Sequence, residues 1–313
     1  MEEPRKAATE SRKHGGGAIP GTGGQRAFTL LARDPPPLPV LLAVPHAGRA
    51  YPRDLLEQMR HPAPACLRLE DRFVDLVAEA VARETGAALL IAQAPRALID
   101  LNREPDDIDW DMIAEAAPQR GTRHAAGRRA RSGLGLVPRR LPGLGELWKR
   151  RLTQAELDTR IETIHAPYHA ALGGALERMR DRWGAALLID LHSMPPLGPK
   201  RGAHAAPDFV IGDRFGASSD EALTLAALDH FAAAGRRAAH NRPYAGGYVL
   251  DRHAAPARGV HALQVEICRS AYLDARLSEP GPNLAAIVRV LAGMVRRMAD
   301  ELAAGRALRH AAE

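Results

Sequence analysis

The sequence predicts an α/β fold, an open sheet whose inner strands are buried on both faces, and three stretches carry that prediction. Leu187-Leu188-Ile189-Asp190-Leu191-His192-Ser193 is an apolar run that ends in an acid and a histidine. Pro39-Val40-Leu41-Leu42-Ala43-Val44 is a second such run, followed directly by Pro45-His46-Ala47-Gly48. Nearly continuous apolar runs of this length suit strands covered on both sides. From Leu69, by contrast, Phe73, Val74, Val77 and Val81 recur at helical spacing until Gly86, so a helix follows the second run. Open α/β sheets place ligands at the carboxyl ends of their strands. Both histidines stand there, which invites a metal-site reading, and Asp190 and His192 share one strand face.

At 313 residues and 46% hydrophobic content, the chain is long enough for one large α/β domain or two small ones. Its charge of +6 and pI near 9.7 come with only four lysines among many arginines. Heavy Arg, Ala, Gly and Pro usage together points to coding bias rather than to a polyanionic partner. No uncharged apolar run reaches membrane length, and the start Met-Glu-Glu-Pro-Arg-Lys has no signal core, so a cytoplasmic protein is expected. Cys66 and Cys268 read as two reduced thiols.

Residues 1–25 hold glycines and charges but almost no large apolar side chains, and are expected to be a disordered tail ahead of a single α/β domain over 26–309. Phe28 to Arg33 and Pro39 to Val44 read as strands separated by the turn Asp34-Pro35-Pro36-Pro37. In the helix from Leu69, Glu70 and Asp71 fall in the first turn, where acids favour the helix dipole. The functional alternative is that Asp71 points at a metal. Ala87 to Ala92 and Arg96 to Leu101 are predicted strands, with Arg96, Leu98, Asp100 and Asn102 on one face. Arginines flanking such a strand are either solvated ends or planar donors for a carboxylate.

Residues from about 106 to 142 carry Arg120, Arg123, Arg128, Arg129 and Arg131 among glycines and alanines, and read as a long mobile loop or a lid. Without stacking aromatics or a recognised module, they do not predict nucleic-acid binding. Thr153 to Trp183 is a predicted helix, interrupted or bent at Pro167. Its His165 and His169 lack the neighbouring Glu of a zincin pair, and read as surface residues or as supports of a site rather than ligands. Asp208 to Ile211 is a further strand, Ala217 to Ala234 a covering helix, and Leu284 to Leu308 a closing amphipathic helix. In Gly259 to Arg269, alternation puts His261, Leu263, Val265 and Ile267 on one face and Ala262, Gln264 and Glu266 on the other. A carboxylate inside such a strand is costly unless paired or put to use.

Seven short motifs then stand in order: Pro45-His46-Ala47-Gly48, Glu70-Asp71 with Val74, Asp100-Leu101-Asn102-Arg103, Pro167-Tyr168-His169, Asp190-Leu191-His192-Ser193, Gly246-Gly247-Tyr248 and Leu263-Gln264-Val265-Glu266. Together, from about residue 39 to 273, they resemble the N-formylglutamate amidohydrolase family. The resemblance implies a zinc carboxypeptidase-like, phosphorylase/hydrolase-like fold: a three-layer α/β/α sandwich on a mixed, mostly parallel central sheet. It implies one Zn2+ per chain held by His46, Asp71 and His192, with Glu70 as the alternative acid. Three protein ligands leave a fourth position, as catalytic zinc requires. It also implies Glu266 as general base, Arg96 as carbonyl or oxyanion stabiliser, Asn102 and Arg103 as a carboxylate-binding pair, and Tyr248 as a substrate contact. Asp190 either orients the His192 imidazole or is structural.

The implied function is a cytoplasmic, zinc-dependent amidohydrolase of histidine degradation that converts N-formyl-L-glutamate and water to formate and L-glutamate. Its partner would be a small N-acyl amino acid, not a nucleic acid or a membrane. The same chemistry on another N-acyl amino acid or a short peptide is the alternative within the enzyme class. A catalytically silent, zinc-stabilised binding protein is the alternative outside it.

Overall fold

Apolar runs become inner strands because a strand with helices on both faces has no wet side. In a computed structural model describing residues 9–114, 127–200, 202 and 205–312, the two runs singled out by sequence are buried along their whole length. The chain opens with β1 (Thr9–Ala18), β2 (Arg26–Asp34) and β3 (Val40–Val44), then α1 (Arg53–Gln58), α2 (Pro62–Leu69), α3 (Val74–Thr85) and β4 (Ala88–Ala92). A small excursion follows: α4 (Arg128–Arg131) and a two-stranded hairpin of β5 (Arg140–Leu141) and β6 (Gly145–Glu146). The second half runs α5 (Gln154–Arg160), α6 (Ala166–Trp183), β7 (Ala186–Met194), β8 (Phe209–Gly212), α7 (Glu221–Ala233), β9 (Ala238–His240), α8 (Tyr248–His253), β10 (Val260–Cys268) and α9 (Leu284–Ala312).

Among the described residues the main sheet has eight strands in the order β1-β2-β4-β3-β7-β10-β8-β9. Its centre, β4-β3-β7-β10, is parallel throughout. β2 is antiparallel to β4, β1 to β2 and β8 to β10, and β9 is parallel to β8, which makes the sheet mixed. One face packs on α3, α7 and α9 through Val77, Val81, Phe231, Leu291 and Val295. The other packs on α5, α6 and α8 through Leu157, Tyr168, Leu172, Leu176 and Leu250. The three-layer α/β/α sandwich expected from the sequence is therefore the fold.

Four sequence expectations change. Residues 9–25 are not disordered: β1 pairs antiparallel along β2, and Ile19 is buried. Backbone pairing does not need large side chains, and a bare Gly15 is what lets the Phe28 ring lie against the strand, since a Cβ there would sit 2.5 Å from the ring. Residues 1–8 lie outside the described residues. Arg96 to Leu101 is a turn instead of a strand, tied by Leu98 N donating to Pro95 O; Ala97, Leu98, Ile99 and Leu101 are all buried, so no alternation separates two faces.

The helix expected from Leu69 begins only at Val74. Glu70 caps the C-terminus of α2, and Phe73, at φ 59° in the left-handed region, redirects the chain into α3. Of the arginine-rich stretch, residues 115–126 with Arg120 and Arg123 lie outside the described residues, and with them the expected mobility; residues 127–142 hold α4 and the start of the hairpin.

Candidate active site

The four parallel strands end at one place. His46 lies two residues past β3, and His192 lies near the end of β7. Register pairs His192 with Glu266 and Asp190 with Gln264 on neighbouring β10, so these four side chains share one face. The turn after β4 brings Arg96, Asp100, Asn102 and Arg103 to the same end. Close approach of the loops depends on Gly48, where a Cβ would lie 2.1 Å from Ala94 O.

His46 Nδ1 and His192 Nδ1 both face Asp71 Oδ2, at 3.4 and 2.9 Å. Each imidazole is held from behind: His46 Nε2 by Asp100 Oδ1 at 2.7 Å and His192 Nε2 by Asp190 Oδ2 at 2.8 Å. Both of those aspartates have no exposed surface. Carboxylates only accept, so the Nε2 atoms donate, and a neutral ring then points an Nδ1 lone pair inward. Two lone pairs and a carboxylate oxygen converging in a buried space repel unless a positive charge sits among them. Burial opposes a charge on His192, but Asp190 and Asp71 outweigh it and raise its pKa well above the usual histidine value. The three donor atoms lie within 4.8 Å of one another, and two imidazole nitrogens with one carboxylate oxygen form a donor set that fits zinc.

Asp71 reaches this place from a turn, not from a helix. Its N–H donates to His46 O at 2.9 Å, which ties the two loops together. Its other oxygen accepts from Ser193 Oγ at 3.2 Å and lies 3.7 Å from Arg269 Nη2. Burial pushes the Asp71 pKa up, yet His192 and His46 hold it well below the usual carboxylate range. Glu70, the alternative acid, instead accepts from Arg72 Nη1 at 3.0 Å and lies outside the three-donor cluster.

A cavity of about 300 Å³ opens over this cluster, lined by Arg96, Arg103, Glu266, Tyr244, Gln264 and Arg269 among others. Glu266 accepts from Gln264 Nε2 at 3.1 Å and forms no ion pair among the described residues. Burial pushes its pKa up to about 7, against the pull of His192 and Arg96. The partners that would have made it structural are occupied elsewhere: Arg96 Nε donates to Asp100 Oδ2 at 2.8 Å, and Arg269 donates to Ser193 Oγ and to Glu70 O.

Asn102 and Arg103 line both this cavity and an adjoining one of about 720 Å³. Arg103 Nε donates to Leu134 O at 2.8 Å and Nη1 to Asn102 O at 2.6 Å, so its guanidinium is fixed at the junction. Tyr248 lines only the larger cavity. Arg129, in the arginine-rich stretch expected to be a mobile loop or a lid, lines both cavities; composition alone says nothing of its position. Asp100 was legible as a motif member, but its hold on His46 was not.

The family model for N-formylglutamate amidohydrolase matches residues 38–273. An N-formylglutamate deformylase from Pseudomonas putida is 32% identical over 243 residues, covering 76% of this chain and 82% of that protein. One from Pseudomonas aeruginosa is 29% identical over 244 residues, covering 76% and 83%. The crystal structure of N-formylglutamate amidohydrolase from Ralstonia eutropha JMP134 matches with a TM-score of 0.79 at 34% identity, covering 89% of this chain and 99% of that one.

Proposed function

The chain belongs to the N-formylglutamate amidohydrolase family, whose members hydrolyse an amide, and from that premise we propose that it cleaves an N-acyl amino acid, with N-formyl-L-glutamate the leading substrate. The observation that carries this reading is the placement of Glu266 beside His192 in a cavity that also holds Asp71, His46 and Arg96. His46, Asp71 and His192 would hold one zinc ion, which when bound supplies Lewis-acid chemistry that polarises the formyl carbonyl and acidifies the attacking water.

Glu266 takes a proton from that water as its oxygen bonds to the formyl carbon, then gives it to the amide nitrogen as the C–N bond breaks, releasing formate and L-glutamate. Arg96, its head fixed by Asp100, steadies the charge growing on the carbonyl oxygen. A formyl group is small, so selectivity must come from the amino acid's carboxylates. Asn102 and Arg103 hold one of them at the mouth of the adjoining cavity, and Tyr248 contacts the distal part of the substrate.

The adjoining cavity of about 720 Å³ supports a second reading, the same chemistry on a larger N-acyl amino acid or short peptide. Metal analysis of the purified protein, followed by hydrolysis assays over formyl and acetyl amino acids and short peptides, tests both. Formate release from N-formyl-L-glutamate above all others is expected. A zinc-loaded protein that hydrolyses none of them would be a silent binding protein instead.

A further inference from the structure

We propose that His165 and His169 are positioning residues that clamp the backbone on either side of Asn102 and so set the carboxylate-binding part of the site. The proposal rests on the reading of Asn102 and Arg103 given above. His165 Nε2 lies 2.9 Å from Arg103 O, and His169 Nε2 lies 3.0 Å from Leu101 O. Carbonyl oxygens only accept, so both imidazoles donate from Nε2. His169 Nδ1 then keeps a lone pair, and at 2.9 Å it accepts from His253 Nε2 on α8. This arrangement needs neutral rings; burial drives the His169 pKa down to about 2 and that of His253 to about 4.

Helix geometry explains how both donors reach one loop. Pro167 has no N–H to give to the preceding turn, and Ile161–His165 relaxes into a π turn just before α6. Such turns are rare and are frequently found at functional sites. Here His165, the last residue of the turn, and His169, four residues on in α6, both face residues 101–103. The Tyr248 ring lies nearly parallel to His165 and edge-on to His169, with centroids 5.8 and 5.1 Å away.

The clamped loop has no ladder of its own and depends on tethers. Asn102 N donates to Asp100 Oδ1 at 2.8 Å, and the same oxygen accepts from His46. Asn102 Oδ1 accepts from Val249 N at 2.9 Å, across a contact so close that a Cβ on Gly247 would lie 2.6 Å from that oxygen. Loosening Leu101 O or Arg103 O therefore displaces the candidate carboxylate clamp first.

The test compares His165→Leu and His169→Leu with His165→Gln and His169→Gln, whose amide nitrogen takes the place of Nε2, all in the full-length zinc-loaded protein. The leucine variants are expected to lose roughly 10- to 100-fold in kcat/KM for N-formyl-L-glutamate, mainly through KM, the usual scale for a misplaced contact. The loss should be far smaller for N-formylbutylamine, which has no carboxylate, and the glutamine variants should recover most of it. Amide hydrogen exchange should quicken over residues 97–104 in the leucine variants while β7 and β10 stay protected. Equal losses on both substrates, or glutamine no better than leucine, would overturn the proposal. If wild type hydrolyses neither substrate, the functional reading falls separately, and unchanged exchange at 97–104 in the leucine variants then sinks the positioning role by itself.

Discussion

Glu266→Gln separates a catalytic carboxylate from a structural one, because the two roles move stability and turnover in opposite directions. In the metal-free protein Glu266 is buried between Gln264 and the His192 strand, and its pKa rises from 4.5 to about 7. A rise of that size corresponds to about 3 kcal/mol. The folded pKa lies above the unfolded one, so the carboxyl favours the fold fully below about pH 4.5 and loses that contribution as pH rises through about 7. Glutamine stays neutral at every pH.

Metal-free Glu266→Gln should therefore match metal-free wild type near pH 4.5 and exceed it by up to about 3 kcal/mol at pH 8. In a domain of this size that is several degrees of melting temperature. Thermal denaturation after chelation measures it, and bound zinc, by stabilising the carboxylate, should shrink the difference. Loaded with zinc, the variant should keep full metal stoichiometry and lose roughly a hundredfold or more in kcat. A variant less stable at both pH values yet fully active would refute the reasoning and make Glu266 a structural partner.

Other perturbations follow from the same geometry. Activity of the wild type should fall on acidification as Glu266 protonates, with zinc placing the midpoint below the metal-free value of about 7; a flat acid limb in a kcat/KM profile would remove Glu266 as base. His192→Ala should abolish stoichiometric zinc by elemental analysis. Asp71→Asn should weaken metal binding strongly and Glu70→Gln only slightly, since Glu70 faces Arg72; the reverse order would move the ligand to Glu70. Asp190→Asn should weaken zinc binding roughly 10- to 100-fold in a competition titration with a chelator, the usual cost of losing the group that orients a ligand histidine. Arg103→Lys keeps charge but cannot serve Leu134 O and Asn102 O together, so KM for acidic substrates should rise well beyond that for neutral ones.

Some of this was written in local pattern. The strands ending at His192 and His46 were legible because burial on both faces demands apolar runs, and Glu266 was legible because alternation along β10 put it opposite Val265 and Ile267. Asp190 and His192, two apart, had to share a face. Pro167 marked the break in the helix. The ordered motifs carried the family. Period and burial are properties of a few neighbouring residues, so a sequence displays them directly.

Other features depended on partners far along the chain. That β3, β7 and β10 lie side by side, so that His46, His192 and Glu266 meet, is a matter of sheet order. Asp71 faces the histidines because Phe73 turns the chain in the left-handed region and Asp71 N is tied to His46 O. β1 forms although it carries no large apolar side chain, because β2 offers it a ladder. Residues 96–103 are buried at nearly every position, which erases periodicity, and their course is set by Asp100, Val249, His165 and His169. A hydrogen bond between residues 62, 68 or 147 positions apart leaves no trace in local spacing. The sequence shows which groups must be buried, and the closing of the chain selects which of them face one another.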